Sequence, residues 1–186
     1  LLGGGVNSYR IALTHGELTL DSPYAVVSDF YGTEGRYNKA EFALLRQQRL
    51  SPRFTLNLNL RGQLADGNLD SVEKMSLGGA YGIRAFPQGE ASGDEGWLAS
   101  TELRYALNGQ WQLGAFVEAG EITYNKDPLP VGDRHRNLKG AGLSAYWRPH
   151  HQWQVSAIAA TSLDGEEAIS DDPEDVYLWG QIQWMF

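Results

Sequence analysis

A single arginine stands inside a long glycine-rich stretch. GGAYGIRAFPQGEASGDEGW, Gly78 to Trp97, holds six glycines, one proline and Arg84. Two acids, Glu102 and Glu118, follow it. A guanidinium and a carboxylate form a geometrically specific, charge-assisted contact, so these residues carry the chemistry of a latch. Taken alone, Arg84 also fits a solvated loop arginine. The other constellations are weaker. The acidic run from Asp164 to Val176, DGEEAISDDPEDV, has a density that suits calcium but lacks the glycine and closing glutamate of an EF-hand loop, so it reads as a solvated loop. His150 and His151 are adjacent at the entry to a strand, which points them to opposite faces and away from a shared metal. Ser8, His15 and Glu17 could be imagined as a hydrolytic set, but no nucleophile elbow accompanies them. GAGLSA, Gly140 to Ala145, fits a loose dinucleotide pattern but lies within a strand. The chain has no cysteine, which excludes disulfides and thiolate metal sites. The expectation is no enzyme, no metal and no cofactor.

The elements that must position Arg84 and the acids are strands. In RFTLNLNLRGQL, Phe54, Leu56, Leu58 and Leu60 fall on one face, and Thr55, Asn57, Asn59, Arg61 and Gln63 on the other. In WLASTELRYAL, Trp97, Thr101, Leu103, Tyr105 and Leu107 alternate with Ser100, Glu102 and Arg104. In WQLGAFVEAG, Trp111, Leu113, Ala115, Val117 and Ala119 alternate with Gln112, Gly114, Phe116 and Glu118. Trp153, Val155, Ala157 and Ala159 share a face, as do Val176, Leu178, Gly180, Ile182, Trp184 and Phe186. Weaker strands are predicted over 5–20, about 37–51 and 138–148, for about eight in all. Short turns fall at Ser51-Pro52, at Asn108-Gly109 and from Pro149 to His151. Long polar loops cover 21–36, 66–96, 124–137 and 163–175.

Short turns alternating with long loops suit an antiparallel transmembrane β-barrel of the outer-membrane kind. The chain has 186 residues, 42% hydrophobic and 20% charged, which is not a disordered composition. No apolar run approaches the roughly 18 residues of a membrane helix, but barrels show no such run. A soluble β-sandwich would pack one face with bulky residues throughout. Here that face is often thin in mid-strand, and tryptophans sit at strand ends, where an interface girdle needs them. The opposite face, rich in Gln, Asn, Arg and Glu, suits a hydrated lumen. The net charge of −8 argues against nucleic-acid binding.

The glycine-rich stretch resembles the sixth extracellular loop of the BamA superfamily, which folds into the lumen and carries a Val/Ile-Arg-Gly-Phe/Tyr motif. Here the motif reads Ile83, Arg84, Ala85, Phe86. Gly78-Gly79 before it, and Pro87, Gly89-Glu90 and Gly93-Asp94-Glu95-Gly96 after it, are more similar to the two-partner secretion transporters (the TpsB family, of haemolysin secretion/activation type). TELRY, Thr101 to Tyr105, resembles the family's next strand. FVEAG, Phe116 to Gly120, resembles its Phe-x-Asp-x-Gly strand, whose acid faces inward and pairs with the loop arginine. Ile182, Trp184 and Phe186 resemble the terminal signal read by the outer-membrane assembly machinery. The resemblance departs at Ala85, where the family has glycine; a positive φ there would cost about 1 kcal/mol. Glu118 stands for the commoner aspartate and can still be held bidentately.

The resemblance implies that the chain supplies strands nine to sixteen of a sixteen-stranded barrel, with loop 66–96 folded into the lumen. Arg84 would pair with Glu118, or with Glu102. It implies export of one large β-helical exoprotein of haemolysin or adhesin type across the Gram-negative outer membrane, without ATP. The expected partners are that exoprotein, outer-membrane lipid and the assembly machinery. LLGGGVNSYR has neither methionine nor signal-peptide character, so the chain is expected to start partway into a larger protein, with the periplasmic POTRA domains and earlier strands absent. An isolated half would have to dimerise or close on itself, because open edges are prohibitive in lipid. The alternatives are a small closed eight-stranded barrel with adhesive loops, and a BamA-like factor that inserts barrels.

Overall fold

The computed structural model describes residues 4–127, 134–149, 152–163, 165 and 167–184; His150, His151 and Phe186 lie outside them. Strand β1 (Gly5–Leu18) leads through a short helix, α1 (Pro23–Ser28), to β2 (Gly35–Arg49) and β3 (Phe54–Ala65). The long insert contains a 3-10 turn (Ser71–Glu73) and two short strands, β4 (Met75–Ser76) and β5 (Ser92–Gly93). Then come β6 (Glu95–Ala106), β7 (Trp111–Thr123), β8 (His135–Trp147), β9 (Trp153–Ser162) and β10 (Tyr177–Trp184). Eight strands form one antiparallel sheet in the order β1-β2-β3-β6-β7-β8-β9-β10. Among the described residues β1 and β10 are its edges and do not pair with each other, so the sheet does not close as an eight-stranded barrel.

The sheet is a meander because every connection but one is a tight turn or a loop between neighbours. The exception is only apparent. β3 and β6 are adjacent, with Gln63 opposite Gly96, so the insert leaves and returns on neighbouring strands. The small elements in the loops were not expected from the strand periodicity, and they have local causes. Ser22 caps α1 by accepting the Ala25 N–H, and Pro23 starts its first turn. Asp70 does the same for the 3-10 turn through the Val72 N–H.

The alternation of residue types fixes two unlike faces. Leu56, Leu58, Leu60, Leu103, Leu113, Val117, Leu143, Leu178 and Ile182 lie on the convex face, and Leu143 is 66% exposed. At the short-turn end that face ends in aromatic pairs. Phe54 packs on Tyr105 at 5.0 Å, Trp111 stacks on Trp147 at 5.8 Å, and Trp153 on Trp184 at 5.7 Å. Amphipathic rings in such a row suit a headgroup layer, and the exposed aliphatic band above them suits hydrocarbon.

The concave face is divided. Toward the short turns it is polar, with Gln47, Asn57, Asn59, Glu102, Arg104 and Ser144. Toward the long loops β6 to β9 carry an apolar patch, with Leu98, Phe116, Ile122, Leu138 and Ala160 buried under Leu77, Ile83 and Phe86 of the insert, while β2 and β3 stay polar with Lys39, Glu41, Arg61 and Gln63. The face that suits a hydrated lumen is therefore dry where this layer covers it. A backbone insert lying on the wall must bury its own side chains against something apolar. The buried core of this chain is therefore not between two sheets but between one loop and the inner side of the sheet.

Candidate functional site

The site is built where the insert meets β6 and β7. The chain doubles back on itself between Leu77 and Ala91. The Ile83 N–H donates to the Leu77 carbonyl at 2.7 Å, the Gly79 N–H to Phe86 at 3.0 Å, the Gly78 N–H to Glu90 at 3.0 Å, and the Leu77 N–H to Ala91 at 3.1 Å. Gly79 has φ +104°, a conformation in which an L side chain is strained. At Gly78, Gly93 and Gly96 the reason for glycine is close approach. A Cβ on Gly78 would stand 2.3 Å from the Pro87 carbonyl oxygen, one on Gly93 2.3 Å from Ile122 Cγ2, and one on Gly96 2.5 Å from the Glu121 carbonyl oxygen. The glycines thus let the insert's arms lie against each other and against β7.

This folding places Ile83, Arg84, Ala85 and Phe86 at the inner wall, all nearly buried. Ile83 and Phe86 enter the apolar layer. Arg84, 8% exposed, points along the wall to Glu118, 4% exposed. Its Nε and Nη2 both donate to Glu118 Oε1 at 2.8 Å, and its backbone N–H donates to Oε2 at 2.8 Å. Both carboxylate oxygens are engaged, but the fork closes on one of them because the backbone amide takes the other. Ser100 adds a hydroxyl bond to Oε1 at 3.2 Å. The guanidinium also lies 3.4 Å from the Phe116 ring centroid. From the other side, Trp179 Nε1 of β10 donates to the Arg84 carbonyl at 2.8 Å.

Glu102 is not brought to Arg84. It lies on the same face one diagonal step away, since Ser100 opposes Glu118 and Glu102 opposes Phe116. Arg104 occupies it instead, with Nε at 2.9 Å and Nη2 at 2.7 Å from Oε2. Tyr146 and Ser144 donate hydroxyls to its Oε1. An arginine two residues along the same strand needs no loop to reach it, so Glu102 belongs to the wall and not to the insert. Between the insert tip and the polar wall lies a cavity of about 390 Å³, lined by Tyr81, Arg84, Gln47, Asn57, Glu102 and Arg104 among others.

Ala85 has no backbone strain: among the described residues the one non-glycine with positive φ is Ala91, at +52°. The Ala85 methyl lies over Gly140 of β8, where an added Cβ would stand only 2.6 Å from it. The sequence expectations assigned no role at this site to Gly140 or to two buried acids of the insert, Glu90 and Asp94. Asp94 is fully buried; Lys74 Nζ lies 3.1 Å from its Oδ1, and the N–H groups of Leu69 and Lys126 donate to it at 3.1 and 2.8 Å. Glu90, also buried, pairs with Arg136 of β8. Their position inside the Gly-Glu and Gly-Asp-x-Gly strings was the available signal. Ile182 and Trp184 sit on the convex face of β10, opposite Val155 and Trp153.

Comparison with known proteins agrees with this architecture. The family model for haemolysin secretion/activation proteins ShlB/FhaC/HecB matches residues 1–146. The Heme/hemopexin transporter protein HuxB of Haemophilus influenzae strain 86-028NP is 32% identical over 174 residues, which cover 88% of this chain and 31% of that protein. A second H. influenzae HuxB is 32% identical over 110 residues, 58% of this chain and 19% of its own length. Among solved structures, CdiB from Escherichia coli superposes with a TM-score of 0.68 at 18% identity, over 99% of this chain and 34% of that one. CdiB from Acinetobacter baumannii gives 0.58 at 18% identity, over 98% and 39%. The two structural matches show a shared fold. The chain spans about a third of the length of the first HuxB relative. It belongs to the haemolysin secretion/activation family ShlB/FhaC/HecB, the two-partner secretion transporters, which are β-barrel proteins of the Gram-negative outer membrane.

Proposed function

We propose that this chain forms strands nine to sixteen of a sixteen-stranded outer-membrane pore that secretes one large β-helical exoprotein of haemolysin or adhesin type. The unfolded substrate threads the polar side of the lumen, and its folding outside makes the step directional without ATP. The chain provides a wall and a gate and has no catalytic role. The open edges at β1 and β10 support a larger barrel, because unpaired strand edges are prohibitive in lipid. Ile182, Trp184 and Phe186 serve the assembly machinery, and the convex face meets outer-membrane lipid.

The observation that carries this reading is the Arg84–Glu118 pair, which seats an insert on the inner wall of the sheet. A buried pair of this kind is costly to break by removing one partner, about 3–5 kcal/mol, because the other charge is left unpaired. It therefore holds the insert in one seated position until something displaces it. The test is secretion by the full-length transporter carrying Arg84→Ala. The expected result is loss of secretion with the barrel still assembled in the outer membrane. Secretion at the normal level by an assembled Arg84→Ala barrel refutes the latch.

A further inference from the structure

Arg84 is not the sole buried charge of the insert that reaches another element. Glu90, on the returning arm, is 1% exposed. Its Oε1 lies 3.0 Å from Arg136 Nη2 of β8. Its Oε2 accepts the Ile169 N–H at 3.1 Å, the Ser170 N–H at 2.9 Å and the Ser170 hydroxyl at 2.6 Å. Arg136 Nη2 in turn donates to the Glu167 carbonyl at 2.6 Å. Both members of the ion pair thus grip one short stretch, Glu167–Ser170, in the long connection between β9 and β10. Two more bonds tie the insert tip to β10: Trp179 to the Arg84 carbonyl, and Gln181 Nε2 to the Tyr81 hydroxyl, each at 2.8 Å.

Glu90 is 1% exposed and has four donors, while Ile169 is 73% exposed, so the ion pair is the dry part of this contact. Separation would leave the buried Glu90 and Arg136 charges without each other, whereas the exposed Ile169 and Ser170 N–H groups would turn to water. The contact is also remote in sequence, 79 and 80 residues from Glu90 to Ile169 and Ser170, so it joins elements that local structure does not hold together. The β9–β10 connection lies on the long-loop side, which faces outward in barrels of this class.

We infer that Glu90 is a second clasp, distinct from Arg84, that couples the lumen insert to the outer connection between β9 and β10. When the insert leaves the wall, the Glu167–Ser170 stretch is withdrawn with it, and the pore and its outer mouth open as one unit. This rests on the reading of the insert as a gate. Glu90 acts as a positioning residue, with no contact to substrate required.

The test uses the full-length transporter in lipid nanodiscs and planar bilayers, with heat-modifiable electrophoretic mobility confirming a folded barrel. Amide exchange is followed at Ile83 and Phe86 and at Ile169 and Ser170 in the parent protein, Arg84→Ala, Glu90→Ala and Glu90→Gln, together with ion conductance. Arg84→Ala is expected to speed exchange at Ile169 and Ser170 tenfold or more, although Arg84 touches neither residue. Glu90→Ala is expected to speed it further and to raise the fraction of time in the conducting state. Glu90→Gln keeps an acceptor for the amides but loses the charge facing Arg136, and is expected to fall between parent and alanine variant. Fast exchange at Ile83 and Phe86 in Arg84→Ala with unchanged exchange at Ile169 and Ser170 overturns the coupling while leaving the gate intact. No change in either segment or in conductance overturns the gate reading itself, and the coupling with it.

Discussion

Gly140→Ala is the perturbation that reads the seating of the insert most directly. The added Cβ would stand 2.6 Å from the Ala85 methyl, 3.3 Å from Ile83 Cγ2 and 3.5 Å from the Thr161 carbonyl oxygen. The first distance is about 1 Å short of a comfortable carbon–carbon contact, and the other two are near tolerance. Overpacking of this size costs about 1–3 kcal/mol, and here it falls on the docked insert rather than on the strands. Ala85→Gly alone removes one buried methyl, worth about 0.8 kcal/mol, and frees the backbone by about 0.5–1 kcal/mol. Combining the two changes removes the methyl that the new Cβ meets. The double variant is therefore expected to be about 1–3 kcal/mol more stable than the sum of the single effects predicts. The assay is amide exchange at Ile83 and Phe86, whose N–H groups bond the Leu77 and Ile83 carbonyls, in the full-length transporter with each variant. Secretion is scored alongside. Strict additivity, within about 0.5 kcal/mol, would refute the argument that Ala85 fills the space Gly140 leaves.

Two other outcomes test the assignment of faces and the outer loops. Leu143→Arg places a charge on the exposed aliphatic band and is expected to destabilise the lipid-embedded barrel by about 2–4 kcal/mol, measured by urea unfolding in vesicles; a negligible effect would contradict a lipid-facing convex side. In the loop before β2, the Asp29 carboxylate has its pKa held below the usual aspartate value, chiefly by the Thr33 N–H, with further help from Glu34. A lowered folded-state pKa contributes stability above the unfolded value, and that stability is lost as pH falls through the folded one, so exchange at Thr33 and Glu34 should speed up below the ordinary aspartate range and not above it.

Period-two alternation was enough to assign the strands, because a sheet with one apolar and one polar side writes its geometry into every second residue. Phe54 to Gln63, Trp97 to Tyr105 and Trp111 to Glu118 could be read that way, and their faces follow in the register. The strand limits shift by up to three residues, as at β8, which starts at His135 rather than 138, because its entry is written in polar residues. Arg84 and Glu118 were legible as a possible pair for a simpler reason. One is the sole arginine of the glycine-rich stretch, and the other points inward by parity.

Sequence alone therefore determined which side of the sheet each strand residue occupies, and that an arginine-bearing insert lies among inward acids. Parity alone left both Glu118 and Glu102 open, because it gives the face and not the height along the wall; only the family resemblance put Glu118 first. Tertiary structure decided between them: the insert's doubled-back backbone delivers Arg84 to Glu118, while Arg104 reaches Glu102 from the same strand. It also decided that Ala85 lies over Gly140, and that Glu90 meets a segment some eighty residues away. Contacts of that kind depend on how an irregular loop crosses a wall, and no local periodicity encodes that path.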